Sequence, residues 1–274
     1  MAPVSITLAP SSAPTIGVFD SGVGGLSLLR ALHRRLPHAA LHYLADSAYA
    51  PYGERDEAEI RARSLLIASH LVAQGATLLV VACNTATAAA IEALRAHWPA
   101  IPVVGIEPGL KPALAATHCG RVGVMATSAT LRSARFQALL AREAGERFVH
   151  LQACTGLADA IERHDPGDTA LTAVVERHCA PLRAAGVDTV ALGCTHYPLV
   201  IDEIQRALGT SVRIIDTSEA VAAQVARRFG TTAAGSNPVA ARLESTGDVA
   251  RLQAVANRWL DFGFKAGQAP EALR

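Results

Sequence analysis

The chain predicts an α/β fold of two similar domains, each a mostly parallel sheet flanked by helices. The domains are related by pseudo-symmetry, with the active site in the cleft between them. Three observations carry this expectation. Short β-branched runs alternate with Ala/Leu/Arg segments of helical period, which is the pattern of βα units. One set of motifs recurs in order in the two halves: GVFDSG (17–22), ACNT (82–85) and VVGIE (103–107), then GVMATS (123–128), GCTH (193–196) and RIIDTSE (213–219). The spacing recurs as well. Gly17 to Cys83 spans 66 residues and Gly123 to Cys194 spans 71, while Cys83 to Glu107 spans 24 and Cys194 to Asp216 spans 22. A duplicated unit sets equivalent strand ends across one cleft. Ligands of open α/β sheets bind beyond the carboxyl ends of the strands, where all these motifs lie.

In chain order, strands are expected at Thr15–Phe19, Ala40–Leu44, Thr77–Ala82, Val103–Ile106, Arg121–Met125, Phe148–Gln152, Thr189–Leu192 and Val212–Ile215. Helices are expected at Gly25–Arg35, Asp56–Gln74, Thr87–His97, Ser133–Ala144, Asp168–Ala185, Pro198–Leu208 and Glu219–Phe229. Proline suits the first turn of a helix, which favours the start at Pro198. Tyr49-Ala50-Pro51-Tyr52-Gly53 reads as a turn, and Ser245–Asp261 as a strand turn with a final helix.

Composition narrows the function. Of 274 residues, half are hydrophobic and 18% are charged, which excludes disorder as the main state. Basic and acidic residues stand at 25 against 24, so neither a nucleic-acid partner nor a membrane surface is expected. The longest apolar run, LLVVAC at 78–83, is far too short to cross a bilayer. The start has no signal-peptide pattern and is expected to be a frayed leader up to about Pro14. The five cysteines, 83, 119, 154, 179 and 194, are odd in number and form no CxxC, so free thiols in a reducing cytoplasm are expected. That spacing also makes zinc a poor reading, and no metal is expected.

Cys83 ends a buried strand before a helix, where backbone N–H groups and the positive helix end would favour a thiolate. Cys194 repeats this setting in the second half, with His196 two residues on. Alone, either cysteine would read as a small core residue. Two at equivalent points of a repeat point to a paired role. A thiolate on one face of a substrate can take a proton from carbon while a thiol on the other face gives one back, which inverts a stereocentre with no cofactor. Asp20 near Cys83 and His196 near Cys194 are the candidates to manage the thiol protons. Pyridoxal phosphate needs a Schiff-base lysine, and only Lys111 and Lys265 exist, in a helix and in the tail. Asn84, Thr85, Thr127 and Thr130 are short hydrogen-bonding groups around the cleft. The loop Asp20–Gly25 resembles a phosphate-binding glycine turn, although its GVGG spacing is not GxGxxG and Asp20 would repel a pyrophosphate. No arginine stands in any of the strand-end motifs, which leaves Ser, Thr, Asn and backbone N–H groups to hold a carboxylate.

At IGVFDSGVGGLSLL, YLADSAYAPYG, VVACNTATA, VGIEPG, GVMATSATLRS, LGCTHYPL and IDTSEAVA the chain resembles the glutamate racemase family, within the aspartate/glutamate racemase superfamily. Ser27 and Ser47 stand where that family commonly has Thr. The resemblance implies cofactor-independent interconversion of L- and D-glutamate by an isomerase that supplies D-glutamate for bacterial peptidoglycan and cell-wall synthesis. It implies Cys83 and Cys194 as proton donors and acceptors, with Asp20 and His196 also catalytic. Asp20, Ser21, Tyr52, Gly53, Asn84, Thr85, Thr195 and His196 would contact the substrate, with Thr127 added from the facing domain. A first domain of 1–106, a second of 107–216 and a segment 217–274 returning to the first are implied, as is a homodimer. Other readings are a different amino-acid racemase or thiol-dependent lyase on the same scaffold, and a metabolite-binding regulator without catalysis.

Overall fold

The computed structural model describes residues 14–230 and 239–274. Apart from Pro14, the expected leader lies outside the described residues. The strands are β1 (Thr15–Asp20), β2 (Ala40–Ala45), β3 (Ala76–Val81), β4 (Val103–Gly105), β5 (Arg121–Ala126), β6 (Phe148–Ala153), β7 (Thr189–Gly193), β8 (Arg213–Ile215), β9 (Ala241–Ser245) and β10 (Phe264–Gln268). The helices are α1 (Leu26–Arg35), α2 (Glu57–Ala73), α3 (Asn84–His97), α4 (Leu110–Ala116), α5 (Ser128–Arg132), α6 (Ala134–Glu143), α7 (Leu157–Arg163), α8 (Thr169–Ala184), α9 (Ile201–Leu208), α10 (Ser218–Phe229) and α11 (Val249–Trp259).

Two parallel sheets result, ordered β10-β9-β2-β1-β3-β4 and β6-β5-β7-β8. The run β2-β1-β3-β4 matches β6-β5-β7-β8 strand for strand, so the repeat in the sequence is a repeat in topology. In each sheet two neighbouring strands carry the recurring motifs: the GV pairs lie within β1 and β5, and β3 and β7 precede the cysteines. Between those strands the connections run to opposite sides, which opens a crevice at their carboxyl ends. Strands β9 and β10 extend the first sheet beyond β2, pairing in parallel from His42↔Arg242 to Ala45↔Ser245 and from Phe264↔Ala241 to Gln268↔Ser245.

Burial follows the layering. From Ile16 to Asp20, β1 is buried on both faces, as a central parallel strand must be. One core cluster is continuous across the molecule, from Ile16, Val18 and Leu29 to Val190, Leu192 and Ile204. A second lies beneath α2 and α3 around Phe19, Leu71, Leu79 and Leu94, and a third joins β5 to α4 and α6 through Val124, Leu110 and Phe136. No helix among the described residues is long and apolar enough to cross a membrane.

Three expectations are corrected. The helix expected from Thr87 begins at Asn84, because the Cys83 sulfur caps it by accepting from the Ala86 N–H at 3.5 Å. The helix expected from Pro198 opens as a 3-10 turn, Tyr197–Val200, before α9. The short helices α4, α5 and α7 and the strands β9 and β10 are additional, with β9 ending at Ser245, where the expected strand turn begins. With five to seven residues each, they carry too few apolar positions to show a period.

Candidate active site

The motif ends of both sheets meet around one cavity of about 140 Å³. The first sheet supplies Ser21 after β1, the turn Ala50–Gly53, Cys83 after β3, and Asn84 and Thr85 from the first turn of α3. The second supplies Thr127 after β5, Cys194 and His196 after β7, and Ala158, Asp159, Glu162 and Arg163 from α7. Both thiols therefore face one space from opposite domains. Neither Lys111 in α4 nor Lys265 in β10 lines it.

The two sulfurs are held differently. Cys83 lies 3.7 Å from Ser21 Oγ and is buried. Burial pushes its thiol up to about 12, with the Asp20 charge adding to the effect, while the Ala86 N–H pulls the other way. The helix end is thus outweighed, and Cys83 rests as a neutral thiol. This corrects the expectation of a thiolate there. Cys194 Sγ lies 3.8 Å from His196 Nδ1, and His196 Nε2 lies 2.6 Å from Glu162 Oε1. Burial disfavours the charged imidazole, but contacts to Cys194 and Glu162 outweigh it and raise His196 well above its ordinary value. Glu162 is held below the usual carboxylate range against its burial, by His196 and by the Val23 N–H at 2.8 Å.

Glu162 was not legible in the sequence. It sits on a short helix with no motif, and only the packing of α7 against the glycine turn brings it to His196. The same contact explains the glycines. A Cβ on Gly22 would fall 1.9 Å from Glu162 Oε1, and one on Gly24 would fall 2.4 Å from His196 Nδ1. The anion that this turn receives is the protein's own Glu162, which corrects the phosphate-like reading.

The other expected residues divide. Ser21, Gly53, Asn84, Thr85 and Thr127 line the cavity; Asp20 and Thr195 do not. Asp20 is fully buried, accepting from the Gly22 N–H at 3.0 Å and from Thr195 Oγ1 at 3.0 Å. Burial raises its carboxyl, opposed first by His196. Its oxygens bond to these groups, Ser21 is the hydrogen-bond partner of Cys83, and the Asp20 charge acts on the Cys83 thiol through space. Tyr52 lines the cavity, yet its hydroxyl donates to Asp46 Oδ2, itself clamped by Arg63 at 2.6 and 3.1 Å. Tyr52 therefore offers its ring and backbone rather than its hydroxyl. The Asn84 Oδ1 atom is buried without a hydrogen-bond partner, an acceptor that a ligand N–H can satisfy. Thr85 Oγ1 lies 2.9 Å from Thr127 Oγ1 and 3.2 Å from Thr130 Oγ1, which stitches the two halves at the cavity edge. Among the described residues the one arginine at the cavity, Arg163, is exposed and pairs with Asp159 at 2.9 Å.

The chain is also similar to known proteins in sequence and fold. Residues 16–225 match the profile of the Asp/Glu/hydantoin racemases. The glutamate racemase of Ectopseudomonas mendocina is 49% identical over 247 residues, covering 89% of this chain and 94% of that protein. That of Ralstonia nicotianae is 45% identical over 264 residues, covering 94% and 92%. Among solved structures, a glutamate racemase isoform of Bacillus anthracis superposes with a TM-score of 0.84 at 35% identity, covering 95% of this chain and 99% of that one. The Escherichia coli glutamate racemase in complex with L-glutamate and the activator UDP-MurNAc-Ala gives 0.83 at 32% identity, covering 93% and 97%.

Proposed function

The chain belongs to the Asp/Glu/hydantoin racemase family, and from that premise we propose that its cavity interconverts L- and D-glutamate with Cys83 and Cys194 as the two acid–base groups. The observation that carries the mechanism is the pair of thiols at equivalent strand ends, lining one cavity from opposite domains.

The two environments assign a resting state. Cys83 is a thiol held up by burial, and Cys194, in contact with His196, is the group that takes the first proton. By resemblance Cys194 faces the α-proton of L-glutamate. The Cα–H bond breaks, its proton goes to Cys194 Sγ, and the electron pair left on carbon takes the Cys83 proton on the opposite face. D-Glutamate results, with Cys194 a thiol and Cys83 a thiolate, which is the starting state for the return reaction. His196 and Glu162 hold the charge on one side of the cleft, and Asp20 sets the potential on the other. The free Asn84 Oδ1 accepts from the substrate ammonium, while the Ser21, Thr85 and Thr127 hydroxyls and the first N–H groups of α3 receive its carboxylates.

The domain division follows from the same reading. Residues 1–106 with 217–274 form one domain and 107–216 the other, supported by the addition of β9 and β10 to the first sheet. The D-glutamate formed feeds peptidoglycan synthesis in the bacterial cytoplasm, and a homodimer is taken over from the resemblance.

Proton NMR of L-glutamate in deuterated water, with purified protein and no added cofactor, tests the reaction. The α-proton signal should vanish as optical activity decays to zero. Activity that appeared only on adding pyridoxal phosphate or a metal would refute the two-thiol mechanism.

A further inference from the structure

Away from the thiol cavity, on one face of the first sheet, three groups converge that the racemisation does not use. His42 on β2 and Glu244 on β9 are both buried, and His70 reaches them from the last turn of α2. Leu44 pairs with Glu244 across the strands, and His42, two residues before Leu44, shares its face. Glu244 Oε2 lies 2.7 Å from His70 Nε2 and 3.1 Å from His42 Nε2. All three atoms fall within 4.8 Å of one another.

We propose that His42, His70 and Glu244 form a binding site for a divalent transition-metal cation of the zinc class, which staples α2 and β2 to the strand β9. Two imidazole nitrogens and one carboxylate oxygen are a known zinc donor set that leaves a fourth position for water. Bonds of 2.0–2.1 Å at tetrahedral angles separate ligand atoms by about 3.4 Å, so Glu244 Oε2 and the two nitrogens, now 2.7 and 3.1 Å from it, must move slightly apart to admit an ion.

Three further features point the same way. His42 Nε2 is buried, has no hydrogen-bond partner of good geometry, and faces Glu244 Oε2 at 3.1 Å. Glu244 Oε1 is taken by Arg242, which also bonds Gln74 Oε1 at 3.0 Å, so the carboxylate is fixed with Oε2 towards the histidines. His70 sits at the carboxyl end of α2, where the helix dipole favours a cation. It is also partly exposed, at 12%, giving a path from solvent.

The test is a titration of the chelator-treated full chain with cobalt(II) chloride, read by visible absorption, and thermal unfolding with zinc chloride. One equivalent of cobalt should bind with tetrahedral d–d absorption and no sulfur-to-cobalt charge-transfer band, and zinc should raise the unfolding midpoint. His70→Gln and Glu244→Gln should each weaken binding at least about 100-fold and abolish the zinc-induced rise. Metal-free His70→Gln should racemise glutamate like the parent chain. Binding of equal strength in the parent and His70→Gln, a charge-transfer band that places the metal on a cysteine, or no d–d absorption at millimolar cobalt would each overturn the proposal.

Discussion

A serine in place of either cavity thiol keeps its shape but not its acidity, so Cys83→Ser and Cys194→Ser each remove one of the two bases. Inversion needs both faces, and racemisation should fall by at least about 10²–10⁴-fold in each variant. Exchange of the α-proton needs one thiolate only. Cys83→Ser should therefore still wash deuterium into L-glutamate and Cys194→Ser into D-glutamate, which NMR resolved by enantiomer will show. Near-normal racemisation by either variant would end the two-thiol account. Glu162 makes a second prediction. His196 is raised well above its ordinary value, so its charge is present at neutral pH and is lost as pH rises through that raised value. Glu162→Gln removes the counter-charge at 2.6 Å, so the titration of His196 should move down in pH. The alkaline loss of L-to-D turnover should move down with it. An unmoved pH profile would make Glu162 a purely structural contact.

Elements meet through small buried contacts, and the start of β7 shows how. Asp188 accepts from Thr117 Oγ1 at 2.5 Å and from the N–H groups of His118 and Cys119 at 2.7 and 2.8 Å, which ties the α4–β5 turn to β7. Partial burial works against its charge, but these bonds outweigh burial and hold the carboxyl well below its usual range. Its folded value is depressed, so its contribution to stability is present above the unfolded value of about 3.9 and is lost as pH falls below it. Asp188→Asn should cost about 1–3 kcal/mol at neutral pH. The difference from the parent chain should shrink towards acid pH in urea unfolding curves. A constant difference across pH would show that the charge is not what matters. The elements that escaped the sequence reading, α4, α5, α7, β9 and β10, share one trait. Each is too short to display a period, and each is fixed by what it packs against.

Across the whole molecule, the continuous core from Ile16 to Ile204 and the threonine bridge between Thr85 and Thr127 join the two sheets. The chain also leaves the first sheet after β4 and returns to it with β9 and β10. Both features couple the halves, so thermal unfolding should be a single transition by circular dichroism and by calorimetry, with matching enthalpies. Two separated transitions would show that the sheets unfold independently. Sequence alone determined the α/β class, the duplication, both cysteines and most of the cavity wall. Each of these rests on a local signal: a hydrophobic period, a strand end, a turn residue or a recurring motif. The tertiary structure decided what those signals cannot encode. It turned the Tyr52 hydroxyl away to Asp46, moved Asp20 behind the wall, and made Cys83 a thiol through desolvation that overrides the helix end. It also brought Glu162 to His196 across 34 positions and Glu244 to His70 across 174. Burial and through-space charge depend on which distant segments close over a residue, and that is settled only when the sheets and helices pack.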